Sequence, residues 1–398
     1  MVDMTGLHVL IVPAWWPSPE QPISGIFCTD YARAFAAARA KVGVIYPDLV
    51  SARYLGRGTE IPWAPRLLHE DLDGVPVIRV RGLHTALRMP ALQMHRFRRW
   101  LRWGLRVYRS RYGEPDVLHA MCAIPAGWAC SHLNDPLARR VVLTEHTGSF
   151  SGLLRPLAGG SYVRAGLLKA AAVVAVSAHL RETMRTACDS REIDVVANPV
   201  VGAFTASAPP AVETDDAGRP VYRAVFVGRV TEAKGVLELA DAAVALSSDD
   251  HFSVEWHVAG YGPAEGELQR RMIAAGLVTS LKMHGFREKG DIATLIRQSH
   301  FLILPSHAEN CPLAICEALS IGRPVVTTEA VGCKALVGQA DGVLARIGDA
   351  SSLSDAVVRL VSIYSQWDWH SISDRARNRF SGSAISSQYA GIFHKVVG

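Results

Sequence analysis

A chain of 398 residues, 49% hydrophobic and 20% charged, is long enough for two domains with sizeable cores and too apolar to be disordered. It contains no run of eighteen apolar residues, which argues against a membrane-spanning helix, and MVDMTGLHVLIVPAWW lacks the basic region of a signal peptide. The net charge of +5 is unevenly spread: residues 74–113 hold ten arginines and no acid, so the remainder carries −5.

In chain order, LHVLIVP (7–13), KVGVIYP (41–47), PVIRV (76–80), DVLHAM (116–121), RVVLTEH (140–146), AAVVAVS (171–177) and DVVANP (194–199) are strand-like runs separated by helical patterns. This alternation predicts a parallel sheet with helices on both faces. Asp71-Leu72-Asp73 runs into Gly74 ahead of PVIRV; Asp-Gly is a hairpin signal, so the segment is expected to be a turn and not a metal–diphosphate site. RMPALQMHRFRRWLRWGLRVYRSRYG (88–113) predicts a helix after Pro90. At ~100° per residue, Phe97, Leu101, Leu105 and Tyr108 share one face, Arg98, Arg99, Arg102, Arg106 and Arg109 a neighbouring arc, and Trp100, Trp103 and Val107 the far side. The apolar face would dock on the domain. Arg98, Arg99, Trp100, Arg102, Trp103 and Arg106 then suit an anionic membrane surface, with a solvated helix or a clamp for an acidic soluble acceptor as the alternatives. No nucleic-acid-binding motif accompanies the arginines, so nucleic acid is not an expected partner.

VGAFTASAPPAVETDDAGRP (201–220) breaks the pattern with Ala, Pro, Thr and Asp. It places the first domain at 1–202, a linker at 203–220, a second domain at 221–379 and a last helix, 380–398, returning to the first. Strand-like runs restart at YRAVFVGRV (222–230), SVEWHVAG (253–260), LKMHGF (281–286), HFLILPS (300–306) and PVVTT (324–328), predicting two doubly wound α/β domains that face a cleft. The seven cysteines show no ligand spacing and are expected to be reduced core thiols of a cytosolic protein.

In FVGRVTEAKGVLELA (226–240) a strand ends at Gly228, and Arg229 and Lys234 follow, two cations suited to a pyrophosphate. HVAGYGP (257–263) has a Gly-x-Gly without the third glycine of a dinucleotide fingerprint. In KMHGFRE (282–288), Gly285 and Phe286 border a base or make a plain turn. HAENCPLAICEALSIGRPVV (307–326) predicts a helix over 312–321, from Pro312 in its first turn to Gly322 just past its last. Glu309 precedes that helix and Glu317 lies inside it. The first-turn amides attract anions, whereas two carboxylates repel a bare phosphate. A nucleotide sugar, which offers phosphates and hydroxyls together, suits both.

FVGRVTEAKG, HVAGYGP, MHGF and SHAENCPLAICEALSIGRPVV, in that order and spacing, resemble the retaining glycosyltransferases of family 4, which have the GT-B fold. WWPSPEQPISGIFCTDYARAF (15–35), PDVLHAM (115–121), LTEHTGSF (143–150), VSAHLRE (176–182) and VVANPV (195–200) extend the likeness over nearly the whole chain. The resemblance implies that Arg229, Lys234 and Gly25 hold a donor diphosphate, that Glu309 and the amides of Asn310, Cys311, Pro312 and Leu313 (all but the proline) meet sugar and phosphates, and that Glu317 accepts from ribose. It makes His146, Glu309, Arg229 and Lys234 the candidate catalytic residues, with Gly228, Gly285 and Phe286 beside the donor. Trp15, Trp16, His119 and Thr147 are candidates for the acceptor side. Relatives often carry His-x-His where this chain has His119-Ala-Met121, so His119 reads as a satisfied structural histidine before an acceptor-side one; Ser24-Gly25 replaces a frequent Gly-Gly. The implied function is transfer of a hexose-type sugar from a UDP- or GDP-sugar to a glycan, lipid-linked and at the inner membrane face, without metal or cofactor. A soluble acceptor, an epimerase-type enzyme and a non-catalytic sugar-nucleotide binder are the alternatives.

Overall fold

The computed structural model describes residues 3–18, 20–54, 61–84, 89–188 and 191–398, including every side chain but that of Leu157. By its internal contacts the chain divides into two units: Met1–Pro199 with Gly382–Gly398, and Val200–Ser381.

The first unit is built on an eight-stranded sheet: β1 (His8–Pro13), β2 (Lys41–Ser51), β3 (Arg66–Leu72), β4 (Val75–His84), β5 (Val117–Met121), β6 (Val141–Glu145), β7 (Ala172–Ala175) and β8 (Asp194–Val195). Their order is β3-β4-β2-β1-β5-β6-β7-β8. Every pairing is parallel except the β3–β4 hairpin. β1 is buried along its whole length, which explains why it reads as continuous apolar sequence and not as an alternation. The order reverses at β1, so the loops after β1 and β5 part there; Ala14 N still donates to Met121 O at 3.2 Å. The Asp71–Asp73 segment is the hairpin turn: Gly74 N donates to Asp71 Oδ1 at 2.8 Å, Asp73 has φ +53°, and its carboxylate pairs with Arg33 at 2.7 Å. The helix Gly382–Val397 packs into this unit, where Tyr389 is fully buried with its hydroxyl 2.8 Å from Thr144 Oγ1.

The arginine-rich helix spans Pro90–Tyr112 and buries Phe97, Leu101, Leu105 and Tyr108 as its periodicity predicts. Trp100 departs from the expected far side and is buried as well. Gly82 on β4 makes the room: a Cβ there would lie 2.9 Å from the Trp100 ring. The missing side chain of one strand residue therefore widens the docked arc of the helix.

The second unit contains β9 (Glu213–Thr214), β10 (Pro220–Val227), β11 (Ser253–Ala259), β12 (Leu281–Gly285), β13 (Phe301–Leu304), β14 (Val325–Thr328) and β15 (Gly342–Ala345). The order is β12-β11-β10-β13-β14-β15, parallel throughout, with β9 antiparallel on β10. Residues 203–220 are fastened to this unit. Ser207 N donates to Ile321 O at 3.1 Å, and the fully buried Arg323 donates to the carbonyls of Ser207 and Ala208, both at 2.8 Å.

Candidate functional site

In the second unit the winding direction changes at β10, whose neighbours are β11 on one side and β13 on the other. Ligands of open parallel sheets bind outside the carboxyl ends of the strands at such a reversal. The loops that follow β10 and β13 are locked together. His307 N donates to Ala233 O at 3.0 Å, and Gly235, at φ +71°, passes so close to Pro305 that a Cβ would lie 1.9 Å from its carbonyl oxygen. From these loops the ammonium of Lys234 and the carboxylate of Glu309 meet in an ion pair, and Ser306 Oγ donates to the same carboxylate oxygen at 2.9 Å. Arg229 is exposed, and its guanidinium has no hydrogen-bond or ionic partner among the described residues. Two residues 75 positions apart, both singled out in the sequence, thus share one contact.

The helix after the β13 loop spans Leu313–Ile321, one residue shorter than expected because Pro312 is its cap and not its first turn. No side chain caps it; Ile315 N donates to Pro312 O at 3.2 Å, which leaves the amides of Leu313 and Ala314, without an acceptor among the described residues, to face an anion. Asn310 and Cys311 are buried just ahead of it, and Glu317 is buried inside it with Lys289 Nζ 3.6 Å away. A hydrogen bond with the Cys311 thiol, together with burial, holds the Cys316 thiol protonated and inert. Phe286, partly exposed, follows Gly285 at the end of β12, and Gly285 O accepts from Gly260 N at 2.8 Å. Gly228 leaves β10 with its amide donating to Ala259 O at 3.0 Å. Ser306 and Lys289 were not legible as site residues. Ser306 is the last letter of a strand-like run, and Lys289 opens a different helix, so only folding brings either to a carboxylate.

In the first unit the decisive residue is another that sequence reading passed over. Glu145, fully buried at the end of β6, accepts from His146 N at 2.9 Å, Thr147 N at 2.7 Å and Ala123 N at 2.7 Å. One carboxylate therefore fixes both the loop that presents His146 and the loop after β5. The His146 ring lies 4.3 Å from that of Phe27 and edge-on to Tyr31 at 5.7 Å. Burial pulls its pKa down to about 3 against the opposing effect of Asn198, so the imidazole is neutral. His119 is completely buried, with Nε2 2.8 Å from Thr144 Oγ1 and its ring among those of Tyr31, Phe35, Tyr389 and Phe393. Burial lowers its pKa to about 3 too. An acceptor cannot reach it in this structure, which makes it a core histidine.

Trp15, which is exposed, and Trp16, which is buried, border a cavity of about 460 Å³ together with Glu20, Tyr46, Asp48, Arg53 and Tyr54. A charged lattice underlies it. Asp48 accepts from Arg79 at 3.1 Å and Arg81 at 2.5 Å; Arg79 also binds Glu70 at 2.6 Å and the carbonyl of Pro17 at 2.8 Å, and Arg81 binds Glu20 at 2.7 Å. The loop after β1 is anchored to β2 and β4 by these pairs. At its end Gly25 adopts φ +70° with space for no side chain, since a Cβ would lie 2.1 Å from Trp15 O. On the arginine-rich helix Arg99, Arg102 and Arg106 are exposed, whereas Arg98 stacks on Trp128 at 5.2 Å and donates to His132 O at 3.2 Å.

Two family profiles match this chain: Glycosyltransferase Family 4 over residues 24–201, and Glycosyl transferases group 1 over residues 222–362. The chain is a family 4 glycosyltransferase. Over 364 residues this glycosyltransferase is 26% identical to the putative teichuronic acid biosynthesis glycosyltransferase TuaC of Bacillus subtilis (strain 168), an alignment covering 89% of each chain. Over 138 residues, 34% of this chain and 35% of the relative, it is 25% identical to the N,N'-diacetylbacillosaminyl-diphospho-undecaprenol alpha-1,3-N-acetylgalactosaminyltransferase of Campylobacter jejuni. Its fold matches sucrose-phosphate synthase from Thermosynechococcus elongatus (TM-score 0.71, 16% identity, 98% of this chain and 99% of that one). It also matches Anabaena HepE in complex with UDP and glucose (TM-score 0.67, 17% identity, 98% and 99%). The two parallel-sheet α/β units of this glycosyltransferase are those of the GT-B fold. No described helix is long and apolar enough to cross a membrane.

Proposed function

We propose that this glycosyltransferase moves a hexose-type sugar, with retention, from a UDP- or GDP-sugar to a hydroxyl of a lipid-linked glycan, in the assembly of a cell-surface polysaccharide or glycolipid. The observation that carries this reading is the Lys234–Glu309 pair at the winding reversal of the second sheet, with Arg229 exposed on the same loop as Lys234. An ammonium and a carboxylate held one hydrogen bond apart can part in favour of a ligand that offers a phosphate to one and a hydroxyl to the other. Arg229 and Lys234 take the diphosphate, Glu309 the hydroxyls of the sugar, the first amides of the helix, at Leu313 and Ala314, the phosphates, and Glu317 the ribose. The names of TuaC and of the undecaprenol-directed relative support a glycan or lipid-linked acceptor, which would hold the enzyme at the inner face of a membrane.

In the transfer, the bond between the anomeric carbon and the phosphate oxygen breaks as the acceptor oxygen bonds that carbon from the same face. The acceptor's proton passes to the departing phosphate oxygen. Negative charge grows on the diphosphate, where preorganised cations are worth most, roughly 3–4 kcal/mol per donor. With Arg229 and Lys234 in that role the reaction requires no metal or cofactor. The family resemblance gives His146, neutral and on a loop fixed through Glu145, the role of an uncharged hydrogen-bonding group toward the sugar.

Thermal shifts of the wild type and of Arg229→Ala against UDP- and GDP-sugars test the donor. One donor should stabilise the wild type by RT ln(1 + [L]/Kd), about 2.7 kcal/mol at a hundredfold excess over Kd, and the variant by clearly less. If none does, the donor reading fails. A donor isomerised without any acceptor would make the protein an epimerase-type enzyme, and a product of inverted configuration would remove the retaining step.

A further inference from the structure

Sugar transfer as described leaves the arginine-rich helix unused. Its outer face borders a groove of about 480 Å³ that lies under Trp63, a residue of the segment leading into β3. Arg96, Arg99, Trp100, Trp103 and Arg106 line the helix side, and among the described residues none that lines the groove is acidic. Positions 96, 99, 103 and 106 recur at helical spacing and so form one stripe. Trp63 is 81% exposed, the highest value for any large hydrophobic side chain among the described residues.

Two other arginines of the helix, Arg98 and Arg109, are engaged elsewhere. Arg109 is held by Asp135 at 2.6 Å and Glu114 at 2.6 Å, and Arg98 is spent on Trp128 and the His132 carbonyl. Arg99 and Arg106 have no hydrogen-bond or ionic partner among the described residues, and Arg96 donates to Leu83 O at 3.2 Å from the groove wall. Guanidinium groups match phosphate oxygens bidentately, and indoles favour the boundary between water and hydrocarbon. A ligand with a phosphate next to an apolar body satisfies both halves of the groove. The same helix, through Gln93 and Phe97, also borders the cavity next to Trp15.

We propose that this groove seats the phosphate headgroup of an anionic membrane lipid, with Trp63 and Trp103 lying in the interfacial layer. The proposal rests on the reading that the acceptor is lipid-borne, and it replaces a general attraction of basic residues by a defined seat. Arg98 and Arg102 leave the set expected from the sequence, and Arg96 and Trp63 join it.

Sedimentation of the full-length protein with phosphatidylcholine vesicles, with and without phosphatidylglycerol, tests it. Binding should require phosphatidylglycerol. Arg99→Glu and Arg106→Glu should each weaken it roughly fivefold and together more than tenfold; Trp63→Ala, at an exposed site, should weaken it without changing the melting temperature. Arg102→Glu, on the same helix but outside the groove, keeps only the general attraction to lose and should weaken binding clearly less than Arg99→Glu. Three results would overturn the proposal: no binding by the wild type, an Arg102→Glu loss as large as that of Arg99→Glu, or release of the vesicles by inorganic phosphate at low concentration, which would make the groove a small-anion site. Donor-induced thermal shifts measured on the same proteins should be unchanged in the groove variants. Their absence in every protein would sink the donor reading while leaving the vesicle result to stand or fall by itself.

Discussion

Glu309 and Lys234 neutralise one another in the structure, so each masks the other from a ligand. Glu309→Gln keeps the size and the hydrogen-bonding reach of the side chain but frees the Lys234 charge. Binding of the free nucleoside diphosphate, measured by calorimetry, should therefore hold or tighten. Transfer should drop by roughly a hundredfold, because the hydroxyl contacts of the sugar lose a charged acceptor. If the nucleotide binds much more weakly instead, Glu309 positions the diphosphate site and does not read the sugar. At His146 the buried neutral ring makes a different forecast. Its pKa lies near 3, so the rate of transfer should show no inflection near the ordinary histidine value of 6.5 that His146→Gln abolishes. Appearance of such an inflection would mean that the ring is charged during turnover. Both cases join a residue named from sequence to a partner that sequence concealed: Ser306 beside Glu309, and Glu145 beneath His146.

Among the elements, the strands came through clearly because a parallel sheet covered on both faces demands unbroken apolar runs. Helix phase was less legible. Sequence periodicity alone sets Trp100 opposite the docking face, since it takes no account of the space that Gly82 opens in β4. The loops after β10 and β13 are likewise a single mechanical piece that no local pattern reveals, because they meet only in the folded chain, where Gly235 slides under Pro305, His307 N bonds Ala233 O and Lys234 pairs with Glu309. Gly235→Ala tests that coupling. A left-handed alanine costs about 1–2 kcal/mol, and its Cβ would also press the two loops apart. Chemical denaturation should show the lost stability, and the donor should bind at least several-fold more weakly. Normal donor affinity in a folded Gly235→Ala protein would show that the two loops work independently.

For the whole molecule, the two buried histidines of the first unit set a response to acid. Above pH 6.5 they are neutral in both folded and unfolded chains and contribute no pH dependence. Below it the unfolded chain takes up protons that the folded chain refuses until about pH 3, so stability falls as the pH drops through that window. At pH 5 each site removes on the order of 2 kcal/mol. His119→Gln, which can still bond Thr144, should melt with a smaller difference between pH 7 and pH 5 than the wild type. Equal differences in the two proteins would mean that His119 is not buried in its neutral form.

By itself the sequence determined the class of the molecule, because the hydrophobic period of strands and helices and the Gly and Pro punctuation between them are local properties of the chain. It placed Arg229 and Lys234 just after one strand, and Glu309 ahead of and Glu317 inside the helix that follows another, since the spacing of strand, loop and helix is local. Only the tertiary structure decided which charges meet. It paired Lys234 with Glu309 and Lys289 with Glu317, tied Arg79 and Arg81 through Asp48 beneath the first loop, buried His119, and set Trp63 across a groove from arginines more than thirty positions away. Electrostatic and hydrogen-bond partnerships act over a few ångströms in space. The chain brings such groups together through sheet order and packing, which no stretch of sequence carries alone.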